Sequence, residues 1–115
     1  MNAKQVLERA AQIKAEAGAI QELWQSLLPE LDFTPDLRQC KVWIVMYGFD
    51  NAAEALERLP VWLQQFDAKN EKRIADGEEP LRARTENDII HYASKCMVNL
   101  KNGVQPNHAE RGNLL

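Results

Sequence analysis

The first part of the chain carries an apolar stripe with heptad spacing, and this stripe constrains the fold more than any other feature of the sequence. Apolar residues recur at alternating intervals of four and three: Val6, Ala10, Ile13, Ala17, Ile20, Trp24, Leu27 and Leu31. Because these intervals bring side chains to one face of a helix, residues 3 to about 28 are predicted to form one long helix. Pro29 then ends or bends this helix near Leu28.

The stripe is compatible with two arrangements. Ala10 and Ala17 allow another helix to approach closely but bury little apolar area, so an isolated two-stranded coiled coil would be weak. The stripe therefore either packs within the domain or forms a seam with a partner protein or a second copy of the chain. For the second alternative, the candidate partner-binding residues are Val6, Ile13, Ile20, Trp24 and Leu27.

Capping signals predict a second helix after Pro29. The segment Thr34-Pro35-Asp36 combines an N-cap hydroxyl, a proline at the first helical position and an acidic residue in the first turn. The helix is expected to run to about Tyr47, where Gly48 supplies a left-handed C-terminal cap. Because residues 42–47 are apolar on every face, we expect this helix to lie buried at the centre of the fold. A buried strand is the competing interpretation, which the caps on both sides disfavour.

A proline interrupts the third helical region. Asp50 is expected to cap a helix whose apolar face continues to Leu59. Pro60 is expected to break or kink this helix, because it lacks the backbone N–H that a helix interior requires. A further apolar stretch follows from Val61 to Phe66.

The remaining helix follows a polar connection. Residues 67–84 are predicted to form an exposed connection, whose first part, to about Ile74, can continue the preceding helix. Thr85-Glu86-Asn87-Asp88 resembles a capping box with aspartate in place of the usual glutamate. The helix that starts there has an apolar stripe from Ile89 to Leu100, and Gly103 is expected to end it.

These elements predict an all-α chain, folded as a single compact bundle of about four to five helices with a long N-terminal helix. Hydrophobic residues make up 45% and charged residues 27% of the chain, which is ordinary for a globular protein. Five glycines and five prolines are too few for a turn-rich β-sandwich. We expect residues 1–103 to form the helical domain and residues 104–115, which lack apolar periodicity, to form a flexible C-terminal tail.

Residues that carry out catalysis or bind metals are scarce. The two histidines are His91 and His108, and neither forms a pair with the spacing of metal ligands. Cys40 and Cys96 do not form a Cys-x-x-Cys pair, and we expect two buried, reduced thiols rather than a disulfide. The sequence also lacks a nucleophile elbow and a glycine-rich phosphate loop. The chain is therefore predicted not to be an enzyme, with no catalytic residues, no metal and no cofactor.

The sequence lacks signals for export and for membrane insertion. The N-terminus does not have the basic start and apolar run of a secretory signal. The longest apolar run, residues 42–47, is far shorter than the roughly 20 residues that span a bilayer. We therefore expect a cytoplasmic protein with no membrane partner.

Charge is distributed unevenly along the chain. The formal net charge of −3 argues against a strongly basic nucleic-acid-binding protein. Residues 1–68 contain six basic and ten acidic residues, whereas residues 69–115 contain eight basic and seven acidic residues. A modest cationic patch, sufficient for weak phosphate contact, surrounds the last helix: Arg82, Arg84, Lys95, Lys101 and Arg111. A mixed, solvated surface is the alternative interpretation of these residues.

The order of elements resembles that of a known family. The segment Trp43-Ile44-Val45-Met46-Tyr47-Gly48-Phe49, followed by the alanine-rich helix 51–59, resembles the start of the DnaD/DnaB-type helical domain of bacterial primosome and phage replication proteins. In that family, a later helix with the pattern Tyr-x-x-x-Ile-x-x-x-Trp is associated with DNA binding. The similar stretch here begins at Tyr92, with Cys96 in place of the aliphatic residue and Leu100 in place of the tryptophan.

The resemblance covers about residues 37–104 and implies a small, non-enzymatic accessory module that associates with DNA in a bacterial or phage replication system. The tyrosine would then stack on a base or form a hydrogen bond, and the nearby cations would contact phosphates. The candidate nucleic-acid-binding residues are Arg82, Arg84, Tyr92, Lys95 and Lys101. The alternative hypothesis is a helical interaction or adaptor protein that homodimerises, or docks on a partner, through its N-terminal heptad helix.

Overall fold

The computed structural model describes residues 2–103, which form four α-helices and no β-strand. The helices are α1 (Ala3–Leu27), α2 (Leu37–Tyr47), α3 (Phe49–Ala75) and α4 (Glu86–Lys101). The protein is therefore an all-α bundle with a long N-terminal helix, as the sequence predicts. The predicted C-terminal tail, residues 104–115, lies outside the described residues.

The first helix forms within one residue of its predicted bounds. A capping box closes its N-terminus: the Asn2 side chain accepts a hydrogen bond from the Gln5 backbone N–H (2.9 Å), and the Gln5 side chain accepts one from the Asn2 N–H (3.0 Å). Six alanines, the best helix formers, lie between the two ends. At the C-terminus, the Leu28 N–H still donates to the Trp24 carbonyl (2.9 Å), and Pro29 has no N–H with which to continue.

The prediction that Thr34 caps α2 is wrong, because Asp36 takes that position. Asp36 has an extended backbone, and its carboxylate accepts a hydrogen bond from the Gln39 N–H at 2.8 Å. Pro35 is buried, and its carbonyl accepts a hydrogen bond from Gln21 Nε2 of α1 at 3.0 Å. This contact holds the segment before α2 extended along α1, so the helix begins two residues after the proline.

A single glycine both ends α2 and starts α3. The Gly48 N–H donates to the Ile44 carbonyl, and the Gly48 carbonyl accepts from the Ala52 N–H (3.0 and 3.1 Å). Its φ of +86° is a conformation that other residues adopt only with strain, so the predicted glycine cap is confirmed. The predicted capping role of Asp50 is wrong. Asp50 lies in the first turn of α3, where its charge favours the positive end of the helix dipole.

The third helix continues through Pro60, so the predicted break at this position is wrong. The helix comprises 27 residues, and the proline lies near its middle. A proline costs about 3 kcal/mol in a helix interior. Leu59 and Trp62 on either side of it are buried, and burial of each such side chain stabilises the fold by about 1.5–3 kcal/mol. Packing on both sides of the proline therefore outweighs the cost of the lost hydrogen bond.

The first part of the predicted polar connection continues α3, which ends at Ala75, so the prediction that the helix can extend to about Ile74 is confirmed. The remaining residues, 76–85, fold back against the last turns of α3. The Asn70 side chain accepts a hydrogen bond from the Leu81 N–H at 2.7 Å, and Arg73 Nε donates to the Glu79 carbonyl at 3.0 Å. These contacts fix the path of the chain into α4.

Helices that follow each other in the chain pack antiparallel. α2 runs back along α1, and its end at Tyr47 lies across an open recess from Arg9 of α1. α4 runs back along α3, so that Lys101 Nζ donates to the Met46 carbonyl in the last turn of α2 (2.6 Å). α2 and α3 each contact the other three helices, and α1 and α4 lie on the two flanks of this pair.

Side chains from all four helices form one hydrophobic core. At its centre the rings of Trp24 and Trp43 stack with centroids 6.4 Å apart. Both indole N–H groups are paired: Trp24 Nε1 donates to the Phe33 carbonyl (3.0 Å), and Trp43 Nε1 donates to Ser94 Oγ (2.8 Å). The other buried apolar side chains are Ala17, Ile20, Leu28, Cys40, Ile44, Ala52, Ala55, Leu56, Leu59, Trp62, Leu63, Ile89, Ala93, Cys96 and Met97.

The expectation that α2 is buried on every side is wrong. Cys40, Trp43 and Ile44 face the core, whereas Val45 and Met46 are 63% and 50% exposed. In a bundle of four helices, α2 has neighbours on three sides and faces solvent on the fourth. The continuous apolar run therefore divides between a core face and an exposed face.

The two cysteines are buried and no disulfide joins them, as the sequence predicts. Burial raises the pKa of the Cys40 thiol to about 11, and the negative charge of Asp36 adds to this shift. The Cys40 thiol therefore stays protonated at neutral pH, and the thiolate form that reacts as a nucleophile is not populated.

We expect Ser94→Ala to lower the free energy of unfolding by about 1–3 kcal/mol, because it leaves the buried Trp43 indole N–H without its acceptor. Urea denaturation followed by circular dichroism measures the change. Ser26→Ala is the matched control: Ser26 is exposed on α1, and we expect a change within about 0.5 kcal/mol. Equal effects of the two substitutions would contradict the stabilising role of the Trp43–Ser94 hydrogen bond.

Candidate interaction surfaces

The first turns of α1 extend beyond the rest of the bundle. Every residue from 2 to 12 is exposed, and the first residue of α1 that the core buries is Ala17. We call residues 3–12 the N-terminal arm; at 1.5 Å per residue it is about 15 Å long. Within the described part of the chain, no other helix covers it.

The apolar stripe of α1 continues along the N-terminal arm. Val6 and Ala10 lie on the same face of the helix as the buried Ala17. Val6 is 51% exposed, and the neighbouring Leu7 is 71% exposed. Single exposed apolar residues are common on proteins, but a contiguous apolar face is typical of a binding surface.

The five predicted partner-binding residues divide between the core and the surface. Ile20 and Trp24 are fully buried in this chain's own core, and Ile13 and Leu27 are half-buried against it. Val6 is the member of the set that lies on the N-terminal arm. The second half of the stripe therefore packs within the bundle, and among residues 2–103 no side chain buries the apolar face of the first half.

The base of the N-terminal arm borders an open recess of about 420 Å³. Arg9 and Glu16 line this recess from α1, while Tyr47 and Asp50 line it from the α2–α3 junction, which comprises residues 47–51. The Arg9 guanidinium lies 4.0 Å from the Glu16 carboxylate, at the limit of an ion pair. Because Arg9 belongs to the arm, the recess and the arm form one continuous surface.

A second apolar surface lies on the solvent side of α2, where Val42 accompanies Val45 and Met46. The three positions share one helix face because they are separated by three and four residues. Sequence analysis missed this surface, since a helix that is apolar all round predicts complete burial. The small number of predicted helices could have indicated this exposed face, because in a small bundle each helix keeps one side in contact with solvent.

Arg82 is held by Asp88 in a bidentate ion pair. Two guanidinium nitrogens donate to the two carboxylate oxygens at 2.7 and 3.0 Å. Thr85 and Asp88 also exchange hydrogen bonds of 2.9 and 3.1 Å, so the predicted capping box is confirmed. The hydrogen bonds from Arg82 and then from Thr85 hold the pKa of Asp88 well below its usual range. The Arg82 side chain nevertheless remains 73% exposed.

Arg84 lies against α3. Its Nη1 donates to Asp67 Oδ1 at 2.7 Å, and its guanidinium carbon lies 4.6 Å from the centre of the Phe66 ring. The ring and the carboxylate together cover most of the side chain. Arg84 therefore anchors the connection before α4 to the third helix.

Three of the five predicted nucleic-acid-binding residues line one recess of about 210 Å³: Arg82, Arg84 and Tyr92. Lys69, which the sequence analysis did not single out, lines the same recess from α3. Lys95 is exposed one turn beyond the tyrosine on α4. Lys101 lies at the other end of that helix, where it contacts the Met46 carbonyl. The structure thus groups three of the predicted residues and separates Lys101 from them.

Residues 2–103 contain no group of three His, Cys, Asp or Glu side chains placed to bind a metal ion. Over the same residues, no helix is both long enough and apolar enough to cross a membrane.

Comparisons with protein-family models, with curated proteins and with solved structures give no match for this chain. The resemblance to the DnaD/DnaB-type domain therefore stays a prediction.

We expect Arg82→Gln to raise the pKa of Asp88, because the variant removes the hydrogen bonds that most stabilise the carboxylate. The pKa should stay below the ordinary value of about 3.9, since the hydrogen bond from the Thr85 N–H remains. A pH titration followed by carboxyl carbon NMR measures both values. Lys4→Gln, on the N-terminal arm, is the control that should leave the Asp88 pKa unchanged.

The lowered pKa of Asp88 determines how much the Arg82–Asp88 ion pair stabilises the fold at acidic pH. A lowered folded-state pKa stabilises the fold above the unfolded value of about 3.9, and this contribution is lost as the pH falls from there through the folded pKa. The stability difference between the wild type and Arg82→Gln should therefore shrink as the pH falls through this range. A difference that grows on acidification would contradict the assignment.

Proposed function

We propose that this chain is a non-enzymatic helical interaction module that binds a protein partner through its N-terminal arm. The observation that carries the proposal is the continuation of the core stripe of α1 into solvent, with Val6 and Leu7 exposed. A helix packed on this face would cover both side chains and gain about 25 cal/mol for each Å² of apolar surface removed from water.

The helical state of the N-terminal arm gives further support. Helices shorter than about 12–15 residues are marginal in water unless one face is packed. Here the Asn2–Gln5 capping box closes the helix, and alanines extend it toward the bundle. An arm that is already helical presents its apolar side chains in fixed positions, which lowers the entropic cost of binding.

A photo-crosslinking experiment tests the arm as a binding surface. Leu7→p-benzoylphenylalanine places the crosslinker at a 71% exposed position on the arm, and we expect irradiation of cells that produce the variant to give one major covalent adduct. Adding Val6→Asp to the same chain should remove the adduct, because a charge on the apolar face opposes packing. Mass spectrometry identifies the crosslinked protein.

The matched control places the same crosslinker at Ile74, which is exposed on α3 far from the arm. We expect no adduct of the same mass from this position. Failure to crosslink at position 7, or an identical adduct from both positions, would contradict the proposal.

A role as a DNA-associated accessory module of a bacterial or phage replication system is a second candidate. The observation that favours it is that Arg82, Arg84 and Tyr92 line one recess. The exposed Arg82 guanidinium would contact a phosphate, and the tyrosine would stack on a base of a single strand. Both arginines already pair with carboxylates, so a phosphate would have to compete with Asp88 and Asp67.

Fluorescence anisotropy with single- and double-stranded oligonucleotides at two salt concentrations tests this second candidate. Binding in the non-specific range, with a Kd of about 10⁻⁴–10⁻⁶ M at physiological salt, is expected to weaken as salt increases. Arg82→Gln should weaken binding further, whereas Lys4→Gln serves as the control that does not. Absence of salt-dependent binding would remove this candidate.

A further inference from the structure

We propose that the partner of the N-terminal arm is a second copy of this chain, and that the two arms pack antiparallel about a two-fold axis. This inference rests on the proposed function of the arm and names its partner. In such a dimer, each arm covers Val6 and Leu7 of the other arm. Both copies then contribute the same surface, the apolar face of the arm, to the interface, as a two-fold dimer requires.

The position of the recess determines what can lie beside the N-terminal arm. Val6 and Ala10 share the helix face of Ala17, so the apolar face of the arm points to the side of α1 on which the other helices pack. The α2–α3 junction lies beside the base of the arm, so the end of a second helix packed along the arm would contact this junction. The open volume of about 420 Å³ at this place is suited to the terminal turn of a helix.

Charge complementarity selects the N-terminal turn of a second arm. The N-terminal arm, residues 3–12, contains two cations and one carboxylate: Lys4, Arg9 and Glu8. Residues 49–58 contain three carboxylates and one cation: Asp50, Glu54, Glu57 and Arg58. Arg58 pairs with Glu54 at 2.8 Å, so the segment keeps a net charge of −2. The arm of one copy is therefore attracted to the α2–α3 junction of another. A parallel alignment of the two arms would instead place identical charges beside each other.

The helix dipole of the arm favours the same arrangement. The N-terminus of α1 carries a partial positive charge, which the Asp50 carboxylate of another copy would attract. In the antiparallel dimer, Lys4 in the first turn of one copy faces Asp50 of the other, and the two-fold axis repeats this contact.

The interface would be small. Two arms of ten residues bury less than the roughly 1,200 Å² that defines the lower bound of standard interfaces. We therefore expect a weak dimer, with a dissociation constant of about 10⁻⁵–10⁻⁴ M. The charge contacts should be most visible at low ionic strength, where they are least screened.

Charge reversal at Lys4 and Asp50 tests this pairing. Lys4→Glu alone and Asp50→Lys alone each place like charges at both contacts, and sedimentation equilibrium should show about tenfold weaker self-association for each. An equimolar mixture of the two variants should restore association to the wild-type level. In the mixed dimer, each acidic arm faces a basic junction and each basic arm faces an acidic junction.

The control is Glu71→Lys, which reverses an exposed carboxylate on α3 away from the α2–α3 junction and should leave association unchanged. Circular dichroism verifies that each variant is folded. Wild-type dimerisation together with rescue in the mixture supports the proposal. A dimer that neither reversal weakens, or that the mixture does not restore, overturns the antiparallel arrangement.

Failure of this inference can be distinguished from failure of the proposed function. A wild type that stays monomeric up to about 1 mM, the limit for an interface of this size, overturns the second copy as partner. If position 7 still crosslinks to a different protein, the arm remains a binding surface. If the chain neither self-associates nor crosslinks through the arm, the proposed function fails as well.

Discussion

The contact between Trp24 and Trp43 is the interaction on which the rest of the bundle depends. The two rings stack between α1 and α2, and each indole nitrogen extends the contact to a further part of the chain. One nitrogen bonds the Phe33 carbonyl in the loop before α2, and the other bonds Ser94 of α4. Two side chains thus determine the relative positions of three helices and one loop. The remaining helix, α3, packs closely against this centre through small residues such as Ala52 and Ala55.

Features of the fold that depend only on residues close to each other in the sequence were predictable from the sequence. The bounds of α1, the glycine at the end of α2 and the capping box at Thr85 and Asp88 are all local, because their donors and acceptors lie within four residues of each other. The predictions that Thr34 caps α2 and that α3 breaks at Pro60 failed because their outcome depends on distant contacts. Gln21 of α1 holds the segment before α2 extended, and packed side chains on both sides of the proline keep α3 continuous.

The candidate surfaces were less predictable, because exposure depends on which helices pack together. The heptad spacing of α1 is uniform from Val6 to Leu31, and nothing in it indicates that the bundle begins near Ala17. The cations of the connection before α4 are equally ambiguous in sequence, because Arg82 pairs with Asp88, six residues away, whereas Arg84 pairs with Asp67, seventeen residues away. Local spacing identifies which residues share a helix face, and tertiary packing decides which of them are exposed.

The chain passes from α2 to α3 through Gly48 without a loop, and this restricts how the molecule can change during evolution. Residues 76–80 of the connection before α4 are all exposed, so insertions there lengthen a surface segment upstream of the contacts that Leu81 and Arg84 make with α3. At Gly48, an added residue would rotate α3 relative to α2 and misalign the buried faces of both. The end of the bundle that carries the α2–α3 junction is therefore expected to keep its shape among descendants of this sequence, while residues 76–80 are free to vary in length.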